Sequence, residues 1–302
     1  MARDPDLMIL SSASLASKNS RKYLHYLYDL DLTKKDESVA WSMFEGIARR
    51  LPHIRSLSIA IRTQSHVNLM QNLTLLENLQ ELQLFGGIYL NVGHRPDIFD
   101  ITKKLPHLQR LLLEIYPRNL DQIIETTPNL MSLAISTARR DKLVHLNSLT
   151  TLSKLRELKI TAIGNKATEP FDKFSRLTTL TKLNLTGAAF NDVLSFGDLT
   201  LLADLQVLKL NQIKYDSMNG VMHKLTNLRR LDFLQHIHGS SSETLLDECE
   251  GLTRLTHVYI DDVYGKEEKI LQLTQLKSFA VCKKGVHRAR GCYNAVKTKI
   301  RI

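Results

Sequence analysis

Cysteine is scarce in this chain of 302 residues, and long apolar runs are absent from it. Only Cys249, Cys282 and Cys292 occur, and this small odd number predicts reduced thiols rather than the paired cysteines of an extracellular protein. No stretch approaches the roughly 18 apolar residues that a membrane helix needs, and residues 1–13 do not form a secretory signal. We therefore expect an intracellular protein, cytoplasmic or nuclear, without a transmembrane segment.

The short motifs that carry enzymatic chemistry are also missing. The sequence contains no phosphate-binding loop, nucleophile elbow, zinc-spaced cysteine set or paired-histidine metalloprotease motif. His236 and His238, with His257 one repeat further on, could approach a metal, yet isolated loop histidines usually bind water. We therefore expect no enzyme activity, no metal site and no cofactor.

One phrase, L-x-x-L-x-x-L-x-L, recurs along the chain. Eleven copies begin between residues 24 and 273, so the mean period is (273 − 24)/10 = 24.9 residues. Of the 44 template sites 43 are apolar, whereas a composition of 43% apolar residues would give about 19 by chance. The copies start at Leu24, Leu51, Leu76, Leu105, Thr127, Leu152, Leu177, Leu202, Leu225, Leu252 and Leu273, and Thr127 is the polar exception.

The spacing inside the phrase predicts a strand and then a crossover. The last leucines alternate with period two, so they point into a core while the residues between them point outward. Each strand would pair in parallel with the strand of the next repeat, and the remaining residues would return as a helix, a 3₁₀ segment or a loop. Helix signals mark residues 36–50, 97–105, 119–124 and 240–249, where acidic or capping residues precede apolar positions at helical spacing. The predicted fold class is α/β, a solenoid with a parallel concave sheet of about 11–12 strands and helical and loop crossovers on the convex side.

The ends of the array are expected to shield the core from water. Residues 1–22 would form an N-terminal cap or a loose segment, and residues 23–282 the repeat domain. Residues 283–302 would be a basic C-terminal cap with a degenerate twelfth strand, because 296–302 alternates with period two.

The phrase and its period resemble the leucine-rich-repeat superfamily over residues 24–281, which implies a horseshoe-shaped solenoid. Many members place an asparagine three residues after the last strand leucine, and this chain does not. The irregular period and the helix-containing crossovers look most like the repeat domains of F-box receptors of the fungal type. That resemblance implies a substrate-recognition subunit of a ubiquitin ligase, although no Leu-Pro-x-Glu start of an F-box is recognisable. The asparagine positions hold Gly87, Tyr116, Ala138, Ile163, Ala188, Ile213, His236 and Val263.

The strand register predicts which side chains face a partner on the concave surface. Four cations on consecutive strands would form a basic strip. This strip could attract an acidic peptide or domain, or its side chains could simply be solvated. The first half is more acidic through Asp29, Asp31, Glu81 and Glu114. Four large apolar or aromatic side chains also point outward and are typical binding anchors, unless neighbouring loops cover them. The eight predicted partner-binding residues are Phe85, Leu112, Lys159, Lys182, Lys209, Arg230, Leu234 and Tyr259.

The net charge of +10 is concentrated at the C-terminus. Residues 283–302 carry seven basic and no acidic side chains, so the rest of the chain carries 10 − 7 = +3. The leading prediction is a scaffold that binds a protein partner. One alternative is a basic nucleic-acid or membrane-surface binder acting through this tail. A regulator of a small GTPase is another, although no particular arginine is marked out for catalysis.

Overall fold

The computed structural model describes residues 28–33, 44, 46, 48–61, 70–86, 99–114, 120–137, 147–162, 174–187, 196–212, 220–234, 242–261 and 273–282. The chain divides into two compact units, residues 1–136 and residues 137–302. The predicted N-terminal segment 1–22, the basic tail with its twelfth strand, and the eight positions of the asparagine ladder lie outside the described residues.

In the first unit each repeat contributes one parallel strand. The strands are β1 Asp29–Asp31, β2 Ser56–Ile61, β3 Glu81–Gly86, β4 Arg110–Leu113 and β5 Ser132–Thr137, which ends at the unit boundary. β1 pairs with β2, β2 with β3, β3 with β4 and β4 with β5, all in parallel.

The second unit continues the pattern with six strands. They are β6 Glu157–Ala162, β7 Lys182–Thr186, β8 Val207–Asn211, β9 Arg230–Leu234, β10 His257–Asp261 and β11 Ser278–Cys282. Each pairs in parallel with the next strand along the chain. All eleven repeats therefore supply the predicted strand, and the leucine-rich-repeat solenoid predicted from the sequence is confirmed.

The core consists of the template positions of the repeat. In the nine repeats from Leu51 to Ile260, all four template side chains are at most 3% exposed. We call one repeat, with its strand and crossover, a rung. Burying one leucine fully contributes roughly 2 kcal/mol, so each rung gains several kcal/mol from these positions alone. The polar exception Thr127 is buried as well, and its hydroxyl donates a hydrogen bond to the carbonyl oxygen of Ile123 at 2.7 Å. That bond removes the cost of an unsatisfied buried hydroxyl.

The crossovers mix short α-helices with 3₁₀ turns. The helices are α1 Phe99–Thr102, α2 Leu120–Thr126 and α3 Ser242–Cys249, and Phe44, Gly46 and Ala48 to Arg50 are also helical. These lie where helices were predicted, but α1 ends at Thr102, three residues before Leu105. Five other crossovers contain 3₁₀ helices, at Met70–Leu75, Asn147–Thr151, Phe174–Arg176, Phe196–Leu201 and Met222–Lys224. None of the helices in the described ranges has the length and apolarity to span a bilayer.

Backbone hydrogen bonds tie successive rungs together just before each strand. The carbonyl oxygen of Arg156 accepts from the N–H groups of Thr181 and Lys182, at 2.8 and 2.9 Å. The carbonyl of Thr181 accepts in the same way from Gln206 and Val207 on the next rung. Because one acceptor holds two donors of its neighbour, the entry to each strand is fixed relative to the rung before it.

Side chains reinforce the same turn, at the third residue of the repeat phrase. The carboxamide of Asn78 donates to the carbonyl of Pro52 at 3.0 Å, and that of Asn227 donates to Ala203 at 2.7 Å. Thr179 donates its hydroxyl to the carbonyl of Leu155 at 2.7 Å. The chain thus has an inter-repeat polar ladder before the strand, at a position different from the asparagine position of the regular subfamilies.

Asn227 is the member of this ladder with partners on both neighbouring repeats, because its side-chain oxygen also accepts from Arg254. We predict that Asn227→Ala lowers the free energy of unfolding by about 1 kcal/mol, the net contribution of a typical hydrogen bond. Urea denaturation measures the change. The exposed neighbour Thr226 serves as control, and equal destabilisation by Thr226→Ala would contradict a specific ladder contribution.

Cys249 ends α3 and is fully buried, with a free thiol. Burial is the main cause that raises the pKa of this thiol to about 12, and the charge of Glu248 adds to the shift. The thiolate is the nucleophilic form, so the side chain is inert in the folded state.

We predict that iodoacetamide alkylates Cys249 far more slowly in the native protein than in denaturant at pH 8. Mass mapping of the peptide that contains residue 249 measures both rates. Similar rates in the two states would show that the thiol is accessible and ionised, against the burial described here.

Candidate functional site

The sheet face, defined as the side of the strands that points away from the core, carries its side chains in rows set by the register. In the second unit there are three such rows. The first holds Glu157, Lys182, Val207, Arg230, His257 and Ser278; the second holds Lys159, Asn184, Lys209, Asp232, Tyr259 and Ala280; and the third holds Thr161, Thr186, Asn211 and Leu234.

The four predicted basic residues lie on consecutive strands but in two different rows. Lys182 and Arg230 belong to the first row, whereas Lys159 and Lys209 belong to the second. The cations therefore alternate between the two rows rather than follow one line.

Carboxylates neutralise half of this positive charge. Lys182 forms an ion pair with Glu157 on the neighbouring strand, and about half of each side chain is exposed. Lys209 Nζ lies 3.1 Å from Asp232 Oδ2, again across adjacent strands. Lys159 is exposed and has no ion pair within the described residues. Two carboxylates against four cations leave a net charge of +2 on these rows, so the basic strip is weaker than the sequence suggested.

Asp232 is the centre of the charged network. Its side chain is only 11% exposed and accepts three hydrogen bonds from Arg230: Nε to Oδ1 at 2.8 Å, Nε to Oδ2 at 3.1 Å and Nη2 to Oδ2 at 3.0 Å. The hydrogen bond to Asp232 raises the pKa of Arg230, against the opposing effect of burial. Together with Lys209, the carboxylate therefore has two cationic partners. Such a bidentate pair fixes the geometry of the face before any partner arrives.

Two of the predicted anchors flank this network. Tyr259 lies beside Asp232 in the second row and Leu234 ends the third row, and both are partly exposed. Next to Leu234, the Asn211 carboxamide donates to Thr186 Oγ1 at 3.3 Å. Its Oδ1 is buried and has no hydrogen-bond partner among the described residues. The face thus places partly exposed apolar groups beside the charged network.

The sheet face of the first unit carries the other two predicted apolar anchors. Phe85 and Leu112 are both partly exposed, and their register neighbours include the small residues Ala60 and Ala134. Arg110 pairs with Glu81 at 3.5 Å. Phe85 and Leu112 project on this face as predicted.

The structure adds functional features that the sequence reasoning missed. The ion pairs that Glu157 and Asp232 form with Lys182 and Lys209 were not anticipated. The signal was present, because the repeat register puts both pairs directly opposite each other. The buried acceptor of Asn211 had no comparable sequence signal.

The histidine grouping considered as a metal site is only partly visible. His257 begins β10, whereas His236 and His238 lie outside the described residues. Among the side chains that are described, no three His, Cys, Asp or Glu residues come together as a metal-binding group.

Comparisons with known proteins identify structural neighbours. No protein-family model and no curated protein matches the sequence. An internalin (inlF) from Listeria monocytogenes aligns at 17% identity with a TM-score of 0.43, over 89% of this chain and 89% of that chain. Internalin C2 from the same organism aligns at 16% identity with a TM-score of 0.36, over 79% of this chain and 84% of that chain. The leucine-rich-repeat assignment itself rests on the strands and the core described above.

Removing the carboxylate of Asp232 leaves two neighbouring cations without their partner. We predict that Asp232→Ala lowers the free energy of unfolding by about 1–2 kcal/mol, a range that allows for solvent screening of the half-exposed Arg230. Thermal and urea unfolding measure the effect. Asp204→Ala is the matched control, since it removes an exposed carboxylate from the same unit. A loss no larger than that of the control would contradict the structural role of Asp232.

Proposed function

We propose that this chain is a protein-binding scaffold and that the sheet face of the second unit is its contact surface. The proposal rests on the charged and apolar side chains that lie next to each other on strands β8–β10. A prearranged charge network built on Asp232 lies beside the partly exposed Leu234 and Tyr259. Interface hot spots commonly combine such apolar anchors with polar groups of fixed geometry.

The charge distribution favours a partner that presents both apolar and acidic side chains rather than acidic side chains alone. Lys209 and Arg230 are held by Asp232, so a partner carboxylate must compete with an existing pair. Lys159 offers a cation to which a partner can add a new salt bridge. We infer that the bound segment places an apolar side chain near Leu234 and a carboxylate near Lys159.

The finer proposal is that the partner is a substrate of a ubiquitin ligase. It is supported by the irregular repeat and the helix-containing crossovers, which resemble F-box receptors, and that resemblance is one of fold. The buried, reduced Cys249 is compatible with the intracellular location that this role requires. Recovery of a ubiquitin-ligase adaptor or cullin together with the chain would support this version, and capture of other partners alone would refute it.

Charge reversal at Lys182 and Lys209 would be a poor test of this surface. Reversing Lys209 would place a carboxylate against the nearly buried Asp232 and would disturb folding as well as binding. Lys159→Glu combined with Leu234→Ala changes the face without breaking an ion pair described here.

We predict that this double variant loses at least tenfold in affinity for a protein captured by the wild type, which corresponds to about 1.4 kcal/mol. Affinity capture identifies the partner, and titration with the purified partner gives both affinities. The matched control, Lys224→Glu with Leu201→Ala, makes the same chemical changes at exposed positions off the sheet face. Equal capture by both variants, with unchanged unfolding temperatures, would refute the sheet face as the binding surface.

A further inference from the structure

A second charged surface lies on the turns that precede the strands and on the ends of the short helices that lead into those turns, and it is separate from the sheet face. We call it the basic edge and define it in the second unit by the cationic side chains of segments 153–156, 176–181, 203–206, 223–229, 250–256 and 274–277. These are Lys154, Arg156, Arg176, Lys224, Arg229, Arg254 and Lys277, and all seven are exposed.

The basic edge carries a large excess of positive charge. Its segments contain two acidic residues, Asp204 and Glu250, so their net charge is 7 − 2 = +5. The corresponding first-unit segments 49–55, 74–80, 103–109 and 125–131 hold five cations and two acidic residues, a net +3. With +7 in the C-terminal tail, the remainder of the chain carries 10 − 7 − 5 − 3 = −5. Positive charge is therefore segregated onto the turns.

The strand ladder spaces these cations regularly. Five of the six rungs in the second unit carry at least one, and the rung without one contains Asp204. Parallel strands lie about 4.8 Å apart, so six rungs extend over about 24 Å, the length of about seven base pairs of a duplex. The backbone bonds before each strand hold the turns in this register.

The other side chains of the basic edge are suited to phosphate. Exposed hydroxyl groups occur at Ser153, Thr178 and Thr253, and hydroxyl and amide side chains join Lys and Arg in contacts to nucleic-acid backbones. The six segments contain no Phe, Tyr or Trp, so they lack the stacking platform of a single-strand binder. Among the described residues beside them, Leu201 is the exposed large apolar side chain, and one leucine is too little apolar surface to anchor a protein to a membrane.

We propose that the basic edge of the second unit binds the phosphate backbone of double-stranded nucleic acid without reading its sequence. This site is distinct from the C-terminal tail and independent of protein binding on the sheet face. Each neutralised phosphate contributes about −0.9 to the slope of the logarithm of affinity against the logarithm of salt concentration. The seven cations therefore limit this slope to about −6.

The test uses the full chain and labelled 20-base-pair DNA and RNA duplexes of unrelated sequences, with fluorescence anisotropy measured over a range of salt concentrations. The edge variant Arg156→Ala, Arg229→Ala, Lys277→Ala is expected to bind at least tenfold more weakly at 0.1 M salt, with a salt slope reduced by about 2 to 3. The face variant Lys159→Ala, Lys182→Ala, Arg110→Ala removes the same number of charges and is expected to change binding less than threefold.

Two further measurements distinguish duplex binding by the basic edge from binding by the tail and from binding to a membrane. Neutralising Lys283, Lys284 and Arg288 in the tail is expected to leave the edge contribution to the salt slope intact. Equal losses in the edge and face variants, or loss in the tail variant alone, would overturn the proposal. Binding to vesicles with 30% phosphatidylserine but to neither duplex would also overturn it and assign the edge to a membrane. Failure of this test leaves capture of a protein partner by the sheet face unaffected, so the two proposals fail separately.

Discussion

Burial of four template side chains per repeat is the constraint on which the rest of the structure depends. A single rung cannot shield its leucines, so each rung packs on the rungs next to it. The alternation that sends Leu183 and Leu185 inward also sends Lys182 and Asn184 outward. Core and sheet face are therefore two consequences of one pattern. The turn that returns the chain to the next strand creates the third surface, where exposed cations accumulate.

Much of this arrangement could be predicted from the sequence because periodicity encodes it directly. The strand positions, the inward residues and the eight proposed contact residues follow from the repeat phrase. The crossovers were harder to predict, because segments of similar length form either an α-helix or a 3₁₀ helix. Residues 120–126 form a helix whereas residues 147–151 form a 3₁₀ turn, and packing on neighbouring rungs decides between such close alternatives.

The candidate site was predictable in position but not in chemistry. Each cation was assigned to its strand correctly, yet the charge that a partner meets depends on its neighbours. Asp232 holds both Arg230 and Lys209, so two apparent contacts are committed to the structure of the face. The burial of Asn211 Oδ1 depends on side-chain packing and could not be read from spacing. By contrast, the basic edge is visible in the sequence once the turns are aligned by repeat.

Alternation of inward and outward side chains creates the sheet face, and we propose that a protein binds there. Thiol labelling measures it most directly, with Asn184→Cys on the sheet face, Lys154→Cys on the basic edge and Leu183→Cys in the core, each with and without the captured partner. The expected result is fast labelling at 184 and 154, protection at 183, and slowing by the partner at 184 alone. Rapid labelling at 183 would contradict the register, and an unchanged rate at 184 in the complex would contradict binding on this face.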